Sequence, residues 1–385
     1  MSRAVTADHV LFDESISAFR EPDQRNEPIL NGKSYSYVLS SIEITEPWVL
    51  PYCTLHPLAK VNLPGANSAF ICRVENPEWV GMHNSHLYGI ALSTILSFAT
   101  GKLFKSTRND YLSGRDNLQD QDLLELAMMY PVLVAGPGAV HYRLSAERNC
   151  EYQESVSELI TTLHSIPQKK YVQLMQAIRL LHLSLLNKRD DFGLAYFLIV
   201  SAIESIAQHA VKRDHVREKH PSEELWKLNA HDNPAVNELL SAYRELRGQN
   251  QYLQKRYIKF IHNFAPVEIW EKIVPHPHQD MADSMKEFNP GVQYDHLVQK
   301  HWHEKYPSDL SKDQICKILA DSYTHRSLFV HRGEQPPHKT PNSFERFFQE
   351  IHAYDGGKLI VSLLPNYELL FGIAQRSITA WASSK

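Results

Sequence analysis

The chain has 385 residues, of which 43% are hydrophobic and 22% are charged, and its formal net charge is -4 at pH 7. This length allows two domains, each with a sizeable core, and the composition is that of an ordinary globular protein. A charge this close to neutral excludes a protein that attracts nucleic acid through a strong global field, so any anion site must be local.

The sequence contains four widely separated cysteines and no C-x-x-C pair: Cys53, Cys72, Cys150 and Cys316. This pattern argues against a zinc knuckle or a disulfide framework and fits a reducing compartment. The N-terminal stretch MSRAVTADHVLFDES lacks the apolar core of a signal peptide. The longest uncharged apolar run, residues 87–101, is shorter than the ~18 residues expected of a membrane span. We therefore expect a buried helix there and a cytoplasmic location.

The first part of the chain predicts a mixed α/β module. Residues 1–32 are charged and interrupted by proline, so we expect irregular structure. The segments SYSYVLSSIEI, WVLPYCTL and SAFICRVE are rich in β-formers and are separated by proline and glycine. Helices are predicted over residues 84–104 and 120–130. Gly136-Pro137-Gly138 is interpreted as a turn and not as a phosphate loop, because no Gly-Lys-Ser/Thr follows.

From about residue 145 onward, helical periodicity dominates. The predicted helices cover residues 145–164, 168–186, 190–211, shorter stretches within 222–263, and then 311–331, 343–353 and 367–382. The stretch 274–310 is expected to be rich in loops. The sequence thus predicts an α+β protein with a boundary near residue 145. A mixed α/β module over residues 1–145, of unknown role, precedes an all-helical domain over residues 146–385.

The stretch YTHRSLFVHRGE, residues 323–334, carries charged groups into the last turns of a helix that should end at Gly333. Arg326 and His331 are five positions apart, which on a helix is about 7.5 Å along the axis and about 140° beyond a full turn. The two side chains therefore do not share one face. They would converge on a ligand only if a second helix faced them, and a twofold homodimer supplies one.

Arginine and histidine together have the chemistry for cleaving RNA without a metal. Arginine binds phosphate through charge-assisted hydrogen bonds, and histidine is the general acid or base best suited to neutral pH. The imidazole would take the ribose 2′-OH proton, and the arginine would stabilise the charged phosphate. The alternative is purely structural: Arg326 pairs with a carboxylate, and His331 complements the helix C-terminus.

The context of these residues resembles the signature of the HEPN superfamily, especially its Apea-like branch. There an aromatic residue precedes R-S-x-x-x-H and a glycine follows closely, as Tyr323, Arg326, Ser327, His331 and Gly333 do here. The apolar run AYFLIVSAIESIAQ, residues 195–208, is similar to an earlier helix of that branch, interrupted by Glu204. The resemblance covers about residues 190–340.

This resemblance implies a helical bundle that dimerises with its two R-x4-H motifs facing each other. Many members are metal-independent ribonucleases of toxins, phage defence and RNA processing, which assigns catalysis to Arg326 and His331 and requires no cofactor. In many active members the residue after the arginine is Asn, Asp or His. Here this residue is Ser327, which cannot serve as an acid or base. Some members are non-catalytic scaffolds that bind nucleotide or RNA, and that function is the alternative.

Two further residues have supporting roles in this hypothesis. Glu204 lies in an apolar helix, and a buried carboxylate must be paired or neutralised. It either orients Arg326 or His331, or it forms a core salt bridge with another basic residue. His325, next to Arg326, either compensates for Ser327 or is a solvated surface residue.

Basic residues outside the motif are candidates for binding RNA. Lys255, Arg256 and Lys259 are interleaved with aromatic residues in KRYIKFIHNF, and Arg332 follows His331. Such clusters can follow an RNA backbone and stack bases. The same pattern also describes an ordinary amphipathic helix with a solvated basic face.

A metal site is a distant alternative. The alternating histidines His276 and His278, with Asp280, have the spacing of zinc ligands, and His301 and His303 follow nearby. The flanking prolines indicate a surface loop, so no metal is expected. The expected partners are RNA, a second copy of the chain, and a trigger bound by residues 1–145.

Overall fold

The computed structural model describes residues 7–21, 33–63, 68–108, 112–113, 115–133, 142–249, 251–274, 276, 279–298, 304–335, 346–355 and 357–384. Helix accounts for 62% of the structure and strand for 12%, with an antiparallel sheet near the N-terminus and a helical region after it. The predicted α+β class is confirmed.

The N-terminal region is built on a curled five-stranded sheet with the order β3-β4-β5-β1-β6. The strands of this sheet are β1 (Tyr35–Ser40), β3 (Trp48–Val49), β4 (Thr54–Val61), β5 (Ala69–Glu75) and β6 (Phe104–Ser106). Two short strands, β2 (Ile42–Glu43) and β7 (Tyr142–Arg143), pair in parallel beside it. The central strand β1 is buried along its whole length, which agrees with its run of β-forming residues.

Three helices accompany this sheet: α1 (Asp8–Phe19), α2 (Ser85–Thr100) and α3 (Asp120–Met129). α2 and α3 pack on its opposite faces, and α1 packs against α2. α2 is buried almost throughout, as expected for the apolar run at residues 87–101. It passes so close to the sheet that a Cβ on Gly89 would lie 2.4 Å from Ser106 Oγ and 3.1 Å from Ser36 Cβ, so a larger residue there would force these side chains to shift. On the other face, Leu126 and Ala127 of α3 belong to a small second core with Tyr37 and Leu39 of β1.

The remainder is mainly helical. Its helices are α4 (Ala146–Ser165), α5 (Gln168–Asn187), α6 (Phe192–Ala210), α7 (Glu223–Asp232), α8 (Pro234–Gln249), α9 (Leu253–Phe264), α10 (Trp270–Ile273), α11 (Gln279–Phe288), α12 (Lys312–Arg332) and α13 (Tyr367–Ser383). α6 is the central helix, packed against α5, α9, α12 and α13. The predicted long helices over residues 145–211, 311–331 and 367–382 are confirmed.

Three predictions about local structure are wrong. Within residues 7–21, α1 forms where irregular structure was expected, because Leu11, Phe12, Ile16 and Phe19 make an apolar face that is buried in the core. The helix predicted over residues 343–353 is instead, from Phe348 on, strand β8 (Phe348–Asp355), which pairs with β9 (Lys358–Pro365). The region after residue 145 is therefore not all-helical. The third error is smaller: α11 lies in the stretch expected to be loop-rich.

The main core extends across the predicted boundary at residue 145. One continuous cluster joins buried residues of α1, β1 and α2 to those of α4, α5 and α6. Hydrogen bonds cross as well: Trp48 Nε1 donates to Asn149 Oδ1 at 2.9 Å, and the Tyr171 hydroxyl donates to the Ile16 carbonyl at 2.7 Å. The two regions are thus packed together, and the boundary itself stays a prediction.

Among the residues that the structure describes, one helix is long and apolar enough to cross a membrane, and this helix is α6. Of its most apolar stretch, 61% is buried inside the protein. α6 is accordingly the core helix of a bundle, as expected of a soluble protein.

Candidate functional site

An ion pair between the two central helices forms the candidate site. Glu204 on α6 and Arg326 on α12 meet where these helices pack, with Arg326 Nη2 3.2 Å from Glu204 Oε2. The Glu204 side chain is only 6% exposed and that of Arg326 is 22% exposed. The expected contact between Glu204 and Arg326 is confirmed. A carboxylate this deeply buried needs a cation beside it, so the pair fixes the position of Arg326.

Further contacts hold both members of the pair. Gln208, one turn after Glu204, donates from Nε2 to Glu204 Oε1 at 3.2 Å. The guanidinium carbon of Arg326 lies 5.7 Å from the ring centre of Phe197 and 5.9 Å from that of Tyr323. Phe197 in turn stacks on Phe329 at 5.3 Å. Aromatic faces attract a guanidinium group, so the arginine is held by rings as well as by the carboxylate.

Tyr323 belongs to a small aromatic group beneath the pair. Its ring lies 5.5 Å from that of Tyr257 on α9, whose hydroxyl is 3.1 Å from Ser322 Oγ. Burial, together with the nearby Glu204 carboxylate, raises the pKa of Tyr323 to about 12. The phenol is therefore neutral at physiological pH, and its ring lies beside the Arg326 guanidinium.

His331 lies in a different environment, in the exposed last turn of α12. The helix ends where the sequence predicts: Gly333 adopts a left-handed conformation with φ of 67°, and its N–H bonds to the Phe329 carbonyl at 3.0 Å. In the described part of the chain, no hydrogen bond joins His331 to Arg326. One protomer alone therefore leaves the two residues apart, as the helical geometry predicts.

The neighbouring motif residues differ in exposure. The Arg332 side chain is 68% exposed and lies 3.5 Å from Glu334. Ser327 and His325 are half-buried. Burial lowers the pKa of His325, partly opposed by Asp321. His325 is thus not the fully solvated histidine of the alternative interpretation, and its ring favours the neutral form.

The basic cluster on α9 does not present aromatic residues to RNA. Tyr257 and Phe260 are fully buried, so the pattern is that of an amphipathic helix. Arg256 is also buried, at 8% exposure, and donates from Nε to the Val211 carbonyl at 2.8 Å and from Nη2 to the Gln208 carbonyl. The prediction that Arg256 binds RNA is therefore wrong: it closes the C-terminal end of α6.

The two lysines of this cluster are nearer the surface. Lys255 is exposed and pairs with Glu218 at 2.6 Å, while the half-buried Lys259 donates to the His215 carbonyl at 2.9 Å. Both remain candidates for phosphate contacts. Neither lies in the Glu204–Arg326 pair, so they would extend the site rather than form it.

No group of three or more metal-ligating side chains occurs among the described residues. His278, His301 and His303 lie outside that part of the chain, so the alternative metal site at these histidines is untested. All four cysteines are described, and all are free thiols.

Sequence reasoning missed the residues that brace the pair from α6. Phe197 and Gln208 are seven positions before and four positions after Glu204, so all three share one helix face. That spacing was available in the sequence, but only the fold shows that α12 covers this face.

Comparisons of the chain with family models, with curated proteins and with solved structures gave no match. The similarity to HEPN proteins thus rests on the motif residues quoted above. What the structure itself defines is an α+β protein with a braced arginine in its bundle and an exposed histidine on the same helix.

Proposed function

We propose that this protein is a metal-independent endoribonuclease of HEPN type that acts as a homodimer. The observation that carries the proposal is the contrast along α12: Arg326 is held by Glu204 and two aromatic rings, whereas His331 is exposed in the last turn. A fixed cation suits a phosphate, and an accessible imidazole suits proton transfer.

In this mechanism His331 takes the proton from the ribose 2′-OH, and the 2′-oxygen attacks the adjacent phosphorus. Arg326 stabilises the charge on the non-bridging oxygens, and an acid protonates the departing 5′-oxygen. The P–O5′ bond breaks, which leaves a 2′,3′-cyclic phosphate and a 5′-hydroxyl. A second copy of α12 supplies the facing arginine and histidine, so each site has two of each.

The supporting residues have distinct parts in the proposal. Glu204 positions Arg326 and Tyr323 supports the pair, while Ser327 can donate a hydrogen bond to phosphate. Arg332, Lys255 and Lys259 would contact the RNA backbone outside the cleavage site. Free thiols at all four cysteines fit a cytoplasmic location, and phage defence or a toxin-like system is the biological setting that the resemblance favours.

RNA incubated with purified protein in EDTA tests the reaction. We expect fragments with 2′,3′-cyclic phosphate and 5′-hydroxyl ends, and no cleavage when the nucleotide 5′ to the cut carries a 2′-deoxyribose. The His331→Ala protein, purified identically, controls for contaminating ribonuclease. Equal cleavage by both proteins, or cleavage that requires a divalent metal, contradicts the proposal.

The alternative is a non-catalytic scaffold that binds RNA or nucleotide. Two observations favour it: Ser327 cannot exchange protons near neutral pH, and Arg326 already has an internal partner in Glu204. Intact RNA retained in a stable complex, with no cyclic-phosphate ends after prolonged incubation, would select the scaffold. Size measurement of the protein alone and with RNA would show whether either function uses a dimer.

A further inference from the structure

An open cavity of about 410 Å³ lies at the edge of the N-terminal sheet, remote in sequence from the α12 motif. Its lining includes the apolar Leu50, the aromatic Tyr52 and Trp79, and three carboxylates, those of Glu21, Glu75 and Glu78. This volume lies within the range of small-molecule sites. The wall composition therefore determines which ligand it suits.

The aromatic walls form a contiguous group. The Tyr52 and Trp79 rings meet edge to face with centres 5.5 Å apart. His164, in the last turn of α4, lies behind them, 4.1 Å from Tyr52 and 6.1 Å from Trp79. Burial and the nearby Arg20 lower the pKa of His164 to about 4. This histidine therefore adds a neutral ring at physiological pH and no positive charge.

The charge balance at the cavity is negative. Glu75 pairs with Lys33 at 2.5 Å and lies 3.7 Å from His56, so one carboxylate is compensated. Glu78 is exposed, so its carboxylate adds a negative charge at the rim that a ligand can reach. The other nearby cation, Arg20, donates to the Ile166 carbonyl at 2.7 Å and lies over the Tyr171 ring at 3.9 Å, outside the cavity lining.

Hydrogen bonds fix the loop that carries Trp79 and Glu78. The buried Asn76 accepts from Ser36 Oγ at 2.8 Å and donates from Nδ2 to Ser34 Oγ at 3.2 Å. Ser34 Oγ in turn donates to the Val80 carbonyl at 2.6 Å. On the opposite side, the Leu50 N–H bonds to the Cys53 carbonyl at 2.9 Å and shapes the turn that bears Tyr52. The walls are thus set before any ligand arrives.

We infer that this cavity binds a small organic cation of the quaternary-ammonium class through the faces of Tyr52 and Trp79 and the carboxylates at its rim. Aromatic rings attract such cations, and rings grouped around an alkylated nitrogen are a common means of recognising them. The carboxylates add attraction to the cation and repel anions. The cation could be a free small molecule or a methylated lysine of a peptide, since both present the same group. The inference is independent of the proposed ribonuclease activity.

Calorimetric titration of the full-length protein with choline tests the inference. We expect saturable 1:1 binding, together with a change in tryptophan fluorescence. The neutral isostere 3,3-dimethyl-1-butanol, which has the same shape without the charge, should bind at least tenfold more weakly. Equal affinity for the isostere would show a merely apolar cavity and overturn the inference. Preferential binding of AMP, or no binding of either cation at millimolar concentration, would do the same.

The two sources of the cation are separated by a second probe, a short peptide that carries trimethyl-lysine. Tighter binding of the peptide than of choline identifies a protein partner, and the reverse order identifies a free metabolite. Both results support the recognition of the ammonium group. A peptide with unmodified lysine should bind more weakly, because its ammonium group is smaller and more strongly hydrated.

Variants locate the binding. Tyr52, at 45% exposure, can be changed with little effect on the core. Tyr52→Leu should weaken choline binding about fivefold to thirtyfold, and Tyr52→Phe, which keeps the ring, should retain it. Glu78→Gln should weaken binding severalfold, while the matched change Glu238→Gln, at an exposed position on α8 outside the cavity lining, should have no effect. Unchanged affinity in Tyr52→Leu, with a normal unfolding midpoint, would disprove the site.

Discussion

The Glu204–Arg326 pair and the N-terminal cavity both combine aromatic rings with charged side chains. At the pair the rings lie beside a cation that the chain supplies, whereas at the cavity they lie beside carboxylates that face an open space. At the pair, one buried carboxylate and two rings hold an arginine that is 22% exposed. At the cavity, aromatic rings and three carboxylates surround an open space of about 410 Å³. The first arrangement is complete within the chain, whereas the second has room for a cation from outside.

In the two proposals, a chain with a net charge of only -4 binds an anion and a cation at separate places. Overall charge predicts neither site, because each depends on a few local groups. In the proposed dimer, Arg326 and His331 from two facing copies of α12 bind a phosphate. A cation suits the sheet edge. The following predictions test the two sites and what holds each in place.

The largest expected effect is on catalysis at the end of α12. His331→Ala should lower the rate of RNA cleavage by about 10² to 10⁴-fold, the usual contribution of a general acid or base. Because His331 is exposed, the variant should fold normally. Single-turnover cleavage of a labelled RNA in EDTA measures the loss. The matched change His231→Ala, at an exposed histidine on α7 outside the proposed site, is the control and should cleave within a few-fold of the parent. An undiminished rate in His331→Ala would remove His331 from the mechanism.

The second effect is on stability at the Glu204–Arg326 pair. Arg326→Ala should lower the free energy of unfolding by about 3 kcal/mol, because it leaves the buried Glu204 carboxylate without its cation. Urea denaturation followed by tryptophan fluorescence measures the loss. A cleavage defect in Arg326→Ala alone is accordingly ambiguous, and His331→Ala is the cleaner catalytic test.

The double variant Glu204→Gln/Arg326→Ala sharpens the same test. It removes both charges, so part of the lost stability should return. Arg332→Ala, at a side chain that is 68% exposed, should change stability by less than about 0.5 kcal/mol. If the double variant loses the sum of the two single effects, the two charges are not coupled.

The third effect is a pH dependence of the free energy of unfolding, caused by two histidines that stay neutral in the folded protein. His164, behind the cavity, and His182 both have a pKa lowered to about 4 by burial, against about 6.5 in the unfolded chain. As the pH falls from 6.5 toward 4, the unfolded state takes up protons that the folded state does not. Stability should therefore be constant above pH 6.5 and decrease below it.

The expected loss between pH 6.5 and pH 5 is on the order of 1–2 kcal/mol for His182, and it is smaller for the half-buried His164, which solvent screens. Urea unfolding at a series of pH values measures it. His164→Gln should flatten part of this dependence, whereas the exposed His231→Gln should not alter it. A stability that increases on acidification through this range would show that the histidines are protonated in the fold.

The smallest effect concerns the loop at the cavity. Asn76→Ala should cost about 1 kcal/mol, because it removes the bond that Asn76 Nδ2 donates to Ser34 Oγ. The Ser36 hydroxyl, whose one proton Asn76 Oδ1 and the Ser85 carbonyl share, keeps the carbonyl as its acceptor. The matched change is Asn62→Ala, which removes an exposed bond to Ser68 and should cost almost nothing. Choline affinity should fall in Asn76→Ala but not in Asn62→Ala. If both variants behave alike, the loop network does not stabilise the cavity.

Long helices were predictable from the sequence, since periodic apolar positions recur over several turns in α4, α5, α6 and α13. The end of α12 was predictable for a chemical reason: Gly333 adopts the left-handed conformation that closes a helix. The sequence predicted that Glu204, a carboxylate in an apolar helix, needs a cation, but it left Arg326, His331 and other basic residues as possible partners; the fold selects Arg326.

Other features depend on tertiary contacts, or on turn residues that an analysis of apolar periodicity does not consider. The β8–β9 hairpin could have been recognised from Asp355-Gly356, a strong turn signal between two runs with β-forming residues. Arg256 looked like a surface residue until the carbonyls at the end of α6 were placed beside it. The cavity joins Glu21, Tyr52 and Trp79 from three separate segments, and a single sequence does not indicate that they meet.

The position of α6 within the bundle has a consequence for how the protein is made. This apolar helix leaves the ribosome before α9, α12 and α13, which cover it in the finished fold, and Glu204 is synthesised long before Arg326. Until those later segments emerge, α6 exposes a surface that resembles a membrane helix in length and apolarity. The nascent chain is therefore a natural client for chaperones over this interval.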